Sequence, residues 1–306
     1  MASYESACYC SGDLGPGTIT SDSIDTIRLS GLTTVILWAV HIGRPQISGQ
    51  QYGDLIFNNA PDLFVSQGKF NPGSSSAIAA WPGQIAQLMQ APSKVSKILF
   101  SIGGWGVEDF TSIQYMLGHG LKKVLVENFA VLRSAFPSVA GIDLDCEEDV
   151  LRDVIVAFSE ILFEAGFFVT FCPYINPSYW RDCMHALWQG GKKISWWNLQ
   201  CYAGGNYNRS DLTPWLDALG SVVPKGMAAS YLMPGLAVQG TESDGQCPNG
   251  PGGMQATFAA MSDPSLRGGF LWNFDGIVAN TTPCPGGSGL ADYVGAITAG
   301  LAGVNG

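Results

Sequence analysis

Asp143, Asp145 and Glu147 occupy every second position of the run Val139-Ala140-Gly141-Ile142-Asp143-Leu144-Asp145-Cys146-Glu147-Glu148. Successive side chains of an extended strand point to opposite faces, so these three acids share one face while Ile142, Leu144 and Cys146 share the other. Neighbouring carboxyls make one another harder to ionise, a cost that stability alone does not select. The strand therefore reads as a chemical site. A row of acids might instead hold Ca²⁺, but the EF-hand pattern and its glycine are absent, and the acids form a line where a cation needs a ring of oxygens.

The rest of the chain must position that strand. Short apolar runs alternate with helix-like stretches eight times, at residues 7–10, 33–40, 95–102, 139–147, 167–174, 194–202, 226–232 and 269–273. The signal Thr20-Ser21-Asp22 opens a helix over 23–29, the segment 84–90 reads as helical, and 148–164 carries Val150, Leu151, Val154, Phe158, Ile161 and Leu162 at helical spacing before Gly166. Strands that are apolar on both faces and alternate with helices predict a parallel sheet. Eight such units predict an α/β fold, a closed (β/α)₈ TIM barrel, with residues 1–306 as one domain. Two irregular excursions, 43–73 and 240–253, are expected as loops at a barrel mouth.

Composition narrows the partners. Charged residues are 13% of the chain and the net charge is −10, with no basic cluster larger than Lys122-Lys123 and Lys192-Lys193, so nucleic acid is excluded as a partner. No apolar run is long enough to span a bilayer, so no membrane is expected. The start, Met1-Ala2-Ser3-Tyr4-Glu5, has neither the basic nor the apolar region of a secretory signal, yet an extracellular location and a monomeric state are expected. Of the eight cysteines, Cys146, Cys172 and Cys201 lie in apolar runs and are expected as free thiols, while a Cys247–Cys284 disulfide is left open. His41, His119 and His185 show no metal spacing.

Working residues of such barrels sit at the C-terminal ends of strands. There the chain places Gly103-Gly104-Trp105, Glu147, Tyr174, Gln200-Cys201-Tyr202, Ser230-Tyr231-Leu232-Met233 and Trp272. Aromatic rings with scattered polar groups and few cations suit an uncharged, ring-shaped polar ligand such as a sugar. Trp196 and Trp197 are adjacent, so at most one of them can face the barrel interior.

These residues also resemble a family. The segment Gly141-Ile142-Asp143-Leu144-Asp145-Cys146-Glu147 resembles the D-G-x-D-x-D-x-E signature of glycoside hydrolase family 18, the chitinases and endo-β-N-acetylglucosaminidases. Ser101-Ile102-Gly103-Gly104 is similar to its S-x-G-G, Gln200-Cys201-Tyr202 to the Q-x-Y of its shorter plant-type members, and Trp272 to its tryptophan at the end of the eighth strand. The resemblance implies a retaining, substrate-assisted glycosidase of the endochitinase type, acting on chitin or N-acetylglucosamine-containing glycans without a cofactor or metal. Glu147 would be the general acid and base, Asp145 would orient the substrate's N-acetyl group, Asp143 would share a proton with Asp145, and Tyr202 would donate to the same N-acetyl group. Trp272 would be the floor of the site, with Gln200, Tyr174, Trp105, Gly103 and Gly104 as further substrate-binding residues. One position departs from the motif: Ala140 stands where its first Asp is found, which implies a tuned activity. An enzyme that trims N-glycans keeps the same acids, and a non-catalytic lectin on the same barrel is the reading Ala140 favours.

Overall fold

The computed structural model describes residues 4–58, 64–71, 76–238, 249–280 and 284–303. Among the described residues eleven strands follow one another as β1 (Glu5–Cys10), β2 (Thr34–Ile42), β3 (Leu55–Phe57), β4 (Val65–Ser66), β5 (Lys69–Phe70), β6 (Lys97–Gly103), β7 (Gly141–Asp145), β8 (Phe168–Phe171), β9 (Trp197–Gln200), β10 (Leu232–Ala237) and β11 (Gly268–Trp272). Eight of them close on themselves, because β1 pairs in parallel with both β2 and β11 while β6 to β10 run in parallel between these two. The result is the (β/α)₈ barrel that the alternation predicts, with helices outside. Among the described residues no helix is long and apolar enough to cross a membrane.

Local signals explain the helices that wrap it. Thr20 caps Ser21–Leu29 by accepting from Ser23 N, and the Ser23 side chain answers with the Thr20 backbone, a capping box. Ser76–Gln87 carries Pro82 within it, so the helix begins well before the expected segment 84–90. The helix after β7 is Arg152–Glu164 and ends at Gly166, whose φ of +87° is a left-handed turn suited to glycine. It starts later than 148 because Glu148 is used elsewhere: its carboxylate accepts from Phe110 N at 3.1 Å and Thr111 N at 2.7 Å, at the start of the helix Asp109–Gly118.

Three expectations are corrected. The seventh barrel strand is Leu232–Ala237, not 226–232, whose second half is a 3₁₀ turn at Ala228–Tyr231. Pro234 and Gly235 disguise it, since both are poor strand formers. Gly235 is required because a Cβ there would overlap the Phe270 ring inside the barrel. Tyr231 therefore lies at the base of the barrel, not at its mouth. The excursion 43–73 is not wholly irregular: β3 pairs antiparallel to β2 and carries β4 and β5, and Phe64 joins Phe57, Trp81, Phe100 and Phe136 in a buried aromatic cluster. The excursion 240–253 lies mostly outside the described residues, and its last residues begin the helix Pro251–Ala260.

Cysteines 8, 10, 146, 172, 183 and 201 are buried free thiols. Cys284 is disulfide-bonded, and Cys247 lies outside the described residues. Trp196 packs in the barrel interior with Leu99, Met233 and Phe270, whereas Trp197 packs outside against Trp215.

The base of the barrel is closed by Glu5, whose Oε1 accepts from Lys97 at 3.1 Å and Arg267 at 2.7 Å, with the Arg267 guanidinium 4.3 Å from the Trp196 ring centre. The acid at this end is paired with two cations, and the acids without a cation lie at the other. Trp81 is fully buried in the aromatic cluster, away from the mouth acids. Trp81→Ala is expected to cost about 3–5 kcal/mol, read from the shift in denaturant midpoint.

Candidate active site

Strand register brings the central acid to its partners. Ser101 of β6 lies opposite Asp143 of β7, and Asp143 lies opposite Thr170 of β8. The Asp143 carboxylate is fully buried and takes hydrogen bonds from four strands: Tyr9 Oη at 2.8 Å, Ser101 Oγ at 3.0 Å, Thr170 Oγ1 at 2.5 Å and Asn198 Nδ2 at 2.9 Å. Burial pushes its pKa up and these donors pull it back, since each stabilises the charged form. No hydrogen bond joins Asp143 to Asp145 among the described contacts, so Asp143 acts on its neighbour through charge.

Asp145 ends β7 on the same face, one layer nearer the mouth, and is nearly fully buried. Its pKa is raised well above the ordinary value, by burial first, then by the charges of Glu147 and Asp143. The strand stops at Asp145, so Glu147 stands beyond it on the following loop, more exposed than Asp145. Burial raises its pKa too, and the Gln200 amide opposes that rise. Gln200 Nε2 serves both acids, at 2.9 Å from Asp145 Oδ1 and 3.3 Å from Glu147 Oε1. The two carboxyls titrate as a pair.

The glycines expected as substrate-binding residues divide. Gly103 and Gly104 have φ of +101° and +121°, and Gly104 N donates to Asp145 O at 2.8 Å. A Cβ at Gly103 would overlap that same carbonyl, so Gly103 is buried beneath the site and pins β6 to β7, whereas Gly104 reaches the cleft.

Above the acids lies a cleft of about 550 Å³. Trp272 borders it, parallel to Tyr202 with interplanar angle 18°, and meets Trp38 edge-on at 5.0 Å. Tyr174, Gln200 and Trp105 line it as well, and Trp105 is 84% exposed. Asp145, Glu147, Tyr202, Trp272, Gln200, Tyr174, Trp105 and Gly104 thus border one cavity, with Asp143 below it.

Sequence reasoning missed Trp38, Tyr9, Thr170 and Asn198. Trp38 lines the cleft, and its buried indole N–H faces Asp145 and lowers that acid's pKa against the rise from burial. A tryptophan near the C-terminal end of a barrel strand was the signal for it. Tyr9, Thr170 and Asn198 looked like ordinary polar residues of apolar strands. Among the described residues no three metal-ligating side chains converge, and His41 instead pairs its Nδ1 with buried Asp109 at 2.8 Å.

No family model and no curated protein sequence matches the chain. Solved structures resemble it in fold. One is a family GH18 chitinase from Cycas revoluta in complex with allosamidin, at a TM-score of 0.58 and 11% identity over 95% of this chain and 98% of that one. Another is the spore cortex-lytic enzyme SleL of Bacillus megaterium, at 0.57 and 12% over 96% and 73%. The SleL of Bacillus cereus matches at 0.46 and 12%, and the chain spans 50% of its length. At these identities the likeness is one of fold: the chain shares a (β/α)₈ barrel with these proteins.

Burying two acids beside a third opposes ionisation in the folded state, so their folded pKa values exceed the unfolded ones. Such groups favour folding fully below the unfolded pKa, and that contribution is lost as pH rises through the folded pKa. Asp145→Asn is therefore expected to raise the melting temperature at pH 7, with the gain vanishing below the unfolded aspartate pKa of about 3.9. Melting curves across pH check this, and a gain independent of pH would contradict it.

Proposed function

We propose that the chain is a retaining glycosidase that cleaves β-linked N-acetylglucosamine, in chitin or its oligosaccharides, with the substrate's own acetamide as nucleophile. The observation that carries this reading is the placement of Asp145 and Glu147 on one side of the cleft, bridged by a single Gln200 nitrogen. Two-carboxylate glycosidases flank the scissile bond with acids about 5–5.5 Å apart in retaining enzymes and about 6.5–9.5 Å apart in inverting ones. Here the cleft has no third carboxylate on the opposite wall among its lining residues. Two acids standing side by side on one wall suit a nucleophile carried by the substrate.

With a sugar over Trp272, the steps follow from the groups present. The acetamide N–H donates to Asp145 and favours its charged form, which leaves the pair's remaining proton on Glu147. Glu147 gives that proton to the glycosidic oxygen as the bond to C1 breaks, and the acetamide oxygen closes on C1 to an oxazolinium ion. Asp145 balances its positive charge, and the Tyr202 hydroxyl donates to the acetamide oxygen. Water then attacks C1 as the bond from C1 to the acetamide oxygen breaks and the acetamide is restored, Glu147 takes the proton of that water, and the product keeps the β configuration. The barrel shared with the Cycas revoluta chitinase supports a glycosidase, and the chitin-type substrate rests on the site residues. An N-glycan endoglycosidase would use the same acids, and release of N-glycans from a glycoprotein would favour it.

The test is fluorophore release from a chitobiose or chitotriose glycoside. Glu147→Gln is expected to lower turnover by about 10²-fold or more, as loss of a general acid does. Because Glu147 titrates high, wild-type kcat/KM should fall on the basic side at a pH above the ordinary glutamate value of about 4.3. Binding of chito-oligosaccharide without turnover would replace the enzyme by a lectin.

A further inference from the structure

Glu147 stands between two clefts. Beyond it from Trp272 is a second cleft of about 430 Å³, walled by Glu148, Asp149, Tyr174, Asn176 and Tyr179, and Glu147 and Tyr174 border both spaces. An acid that protonates a bridging oxygen must reach between the two sugars it separates. When the acetamido sugar lies over Trp272, the departing sugar lies across Glu147 from it, where the second cleft is.

Most polar groups of that cleft are already engaged. Glu148 accepts from two helix-start amides, at 3.1 and 2.7 Å, and Tyr179 Oη donates to Val150 O at 3.1 Å. Asn176 is fixed in a left-handed conformation, φ 58° and ψ 60°, as its carbonyl begins the helix Pro177–Gln189. The nearby cations are engaged too, Arg152 with Asp153 and Arg181 with Asp182, each at 2.7 Å, and no lysine or arginine lines the cleft. Asp149 is exposed and makes no hydrogen bond or ion pair among the described residues. It is the carboxylate left to meet a ligand.

We propose that this cleft binds the leaving-group sugar, and that Asp149 makes it favour a glucosamine with a free 2-amino group over N-acetylglucosamine. The inference rests on the glycosidase reading. An ammonium entering the cleft meets the charge of Asp149 with no competing cation, whereas an acetamide carries no charge for it to meet. Because Asp149 is solvated, the preference is that of an exposed ion pair, at most about five-fold.

The experiment is digestion of partially acetylated chito-oligosaccharides, with newly formed non-reducing ends identified by mass spectrometry. Glucosamine should be enriched at those ends by up to about five-fold, more at low ionic strength. Asp149→Asn should abolish the enrichment, so that its new non-reducing ends mirror the composition of the substrate. New ends that mirror substrate composition, or an enrichment that survives in Asp149→Asn, would overturn the inference while the glycosidase reading stands. Failure to cleave even the fully acetylated oligomer would overturn both.

Discussion

A carboxylate sealed at the barrel axis is the constraint on which the site depends. Asp143 is out of reach of water, and its two oxygens are taken up by side chains from β1, β6, β8 and β9. An acid buried in this way is tolerable only when its acceptor sites are filled, and here four donors fill them. The same contacts tie five strands of the barrel at one level, so register and electrostatics are solved together. Replacing any one of these donors with an apolar residue would leave an acceptor stranded in a dry interior.

From that level upward the site is a gradient of charge tolerance. Asp143 is stabilised as an anion by hydrogen bonds, Asp145 is nearly as buried but has fewer donors and two acidic neighbours, and Glu147 reaches the cleft. Burial first, then the charges of Glu147 and Asp143, make Asp145 harder to ionise, and burial raises Glu147 as well, which keeps a proton available at the mouth. The opposite end of the barrel carries the Glu5, Lys97 and Arg267 cluster, where the one acid is paired with two cations. Opposite logic at the two ends of one barrel matches the division between a stabilising base and a working mouth. Ala140 fits this picture: it precedes β7 at the base end, beyond the layer of Asp143, so the missing motif acid lies away from the cleft.

Much of this was legible in the sequence, for definite physical reasons. Period-two spacing placed Asp143 and Asp145 on one face, and alternation of buried strands with amphipathic helices predicted the barrel. The seventh strand misled because Pro234 and Gly235 carry weak strand propensity, and only packing against Phe270 explains why glycine is needed there. The start of the helix after β7 misled because Glu148 fits a helical pattern but is drawn off to cap a neighbouring helix. Trp38, Tyr9, Thr170 and Asn198 were not singled out, since their roles arise from strands far apart in the chain meeting at one level. Long-range pairings of that kind leave little local trace.

The central claim is that the nucleophile belongs to the substrate and that the acid beside it acts on one face of the sugar. The most direct measurement is proton NMR of the products in the first minutes of chito-oligosaccharide cleavage, before the new reducing end mutarotates. The account predicts that the β-anomer appears first and that an analogue lacking the 2-acetamido group is not cleaved. Initial release of the α-anomer, or comparable cleavage of the analogue, would contradict it.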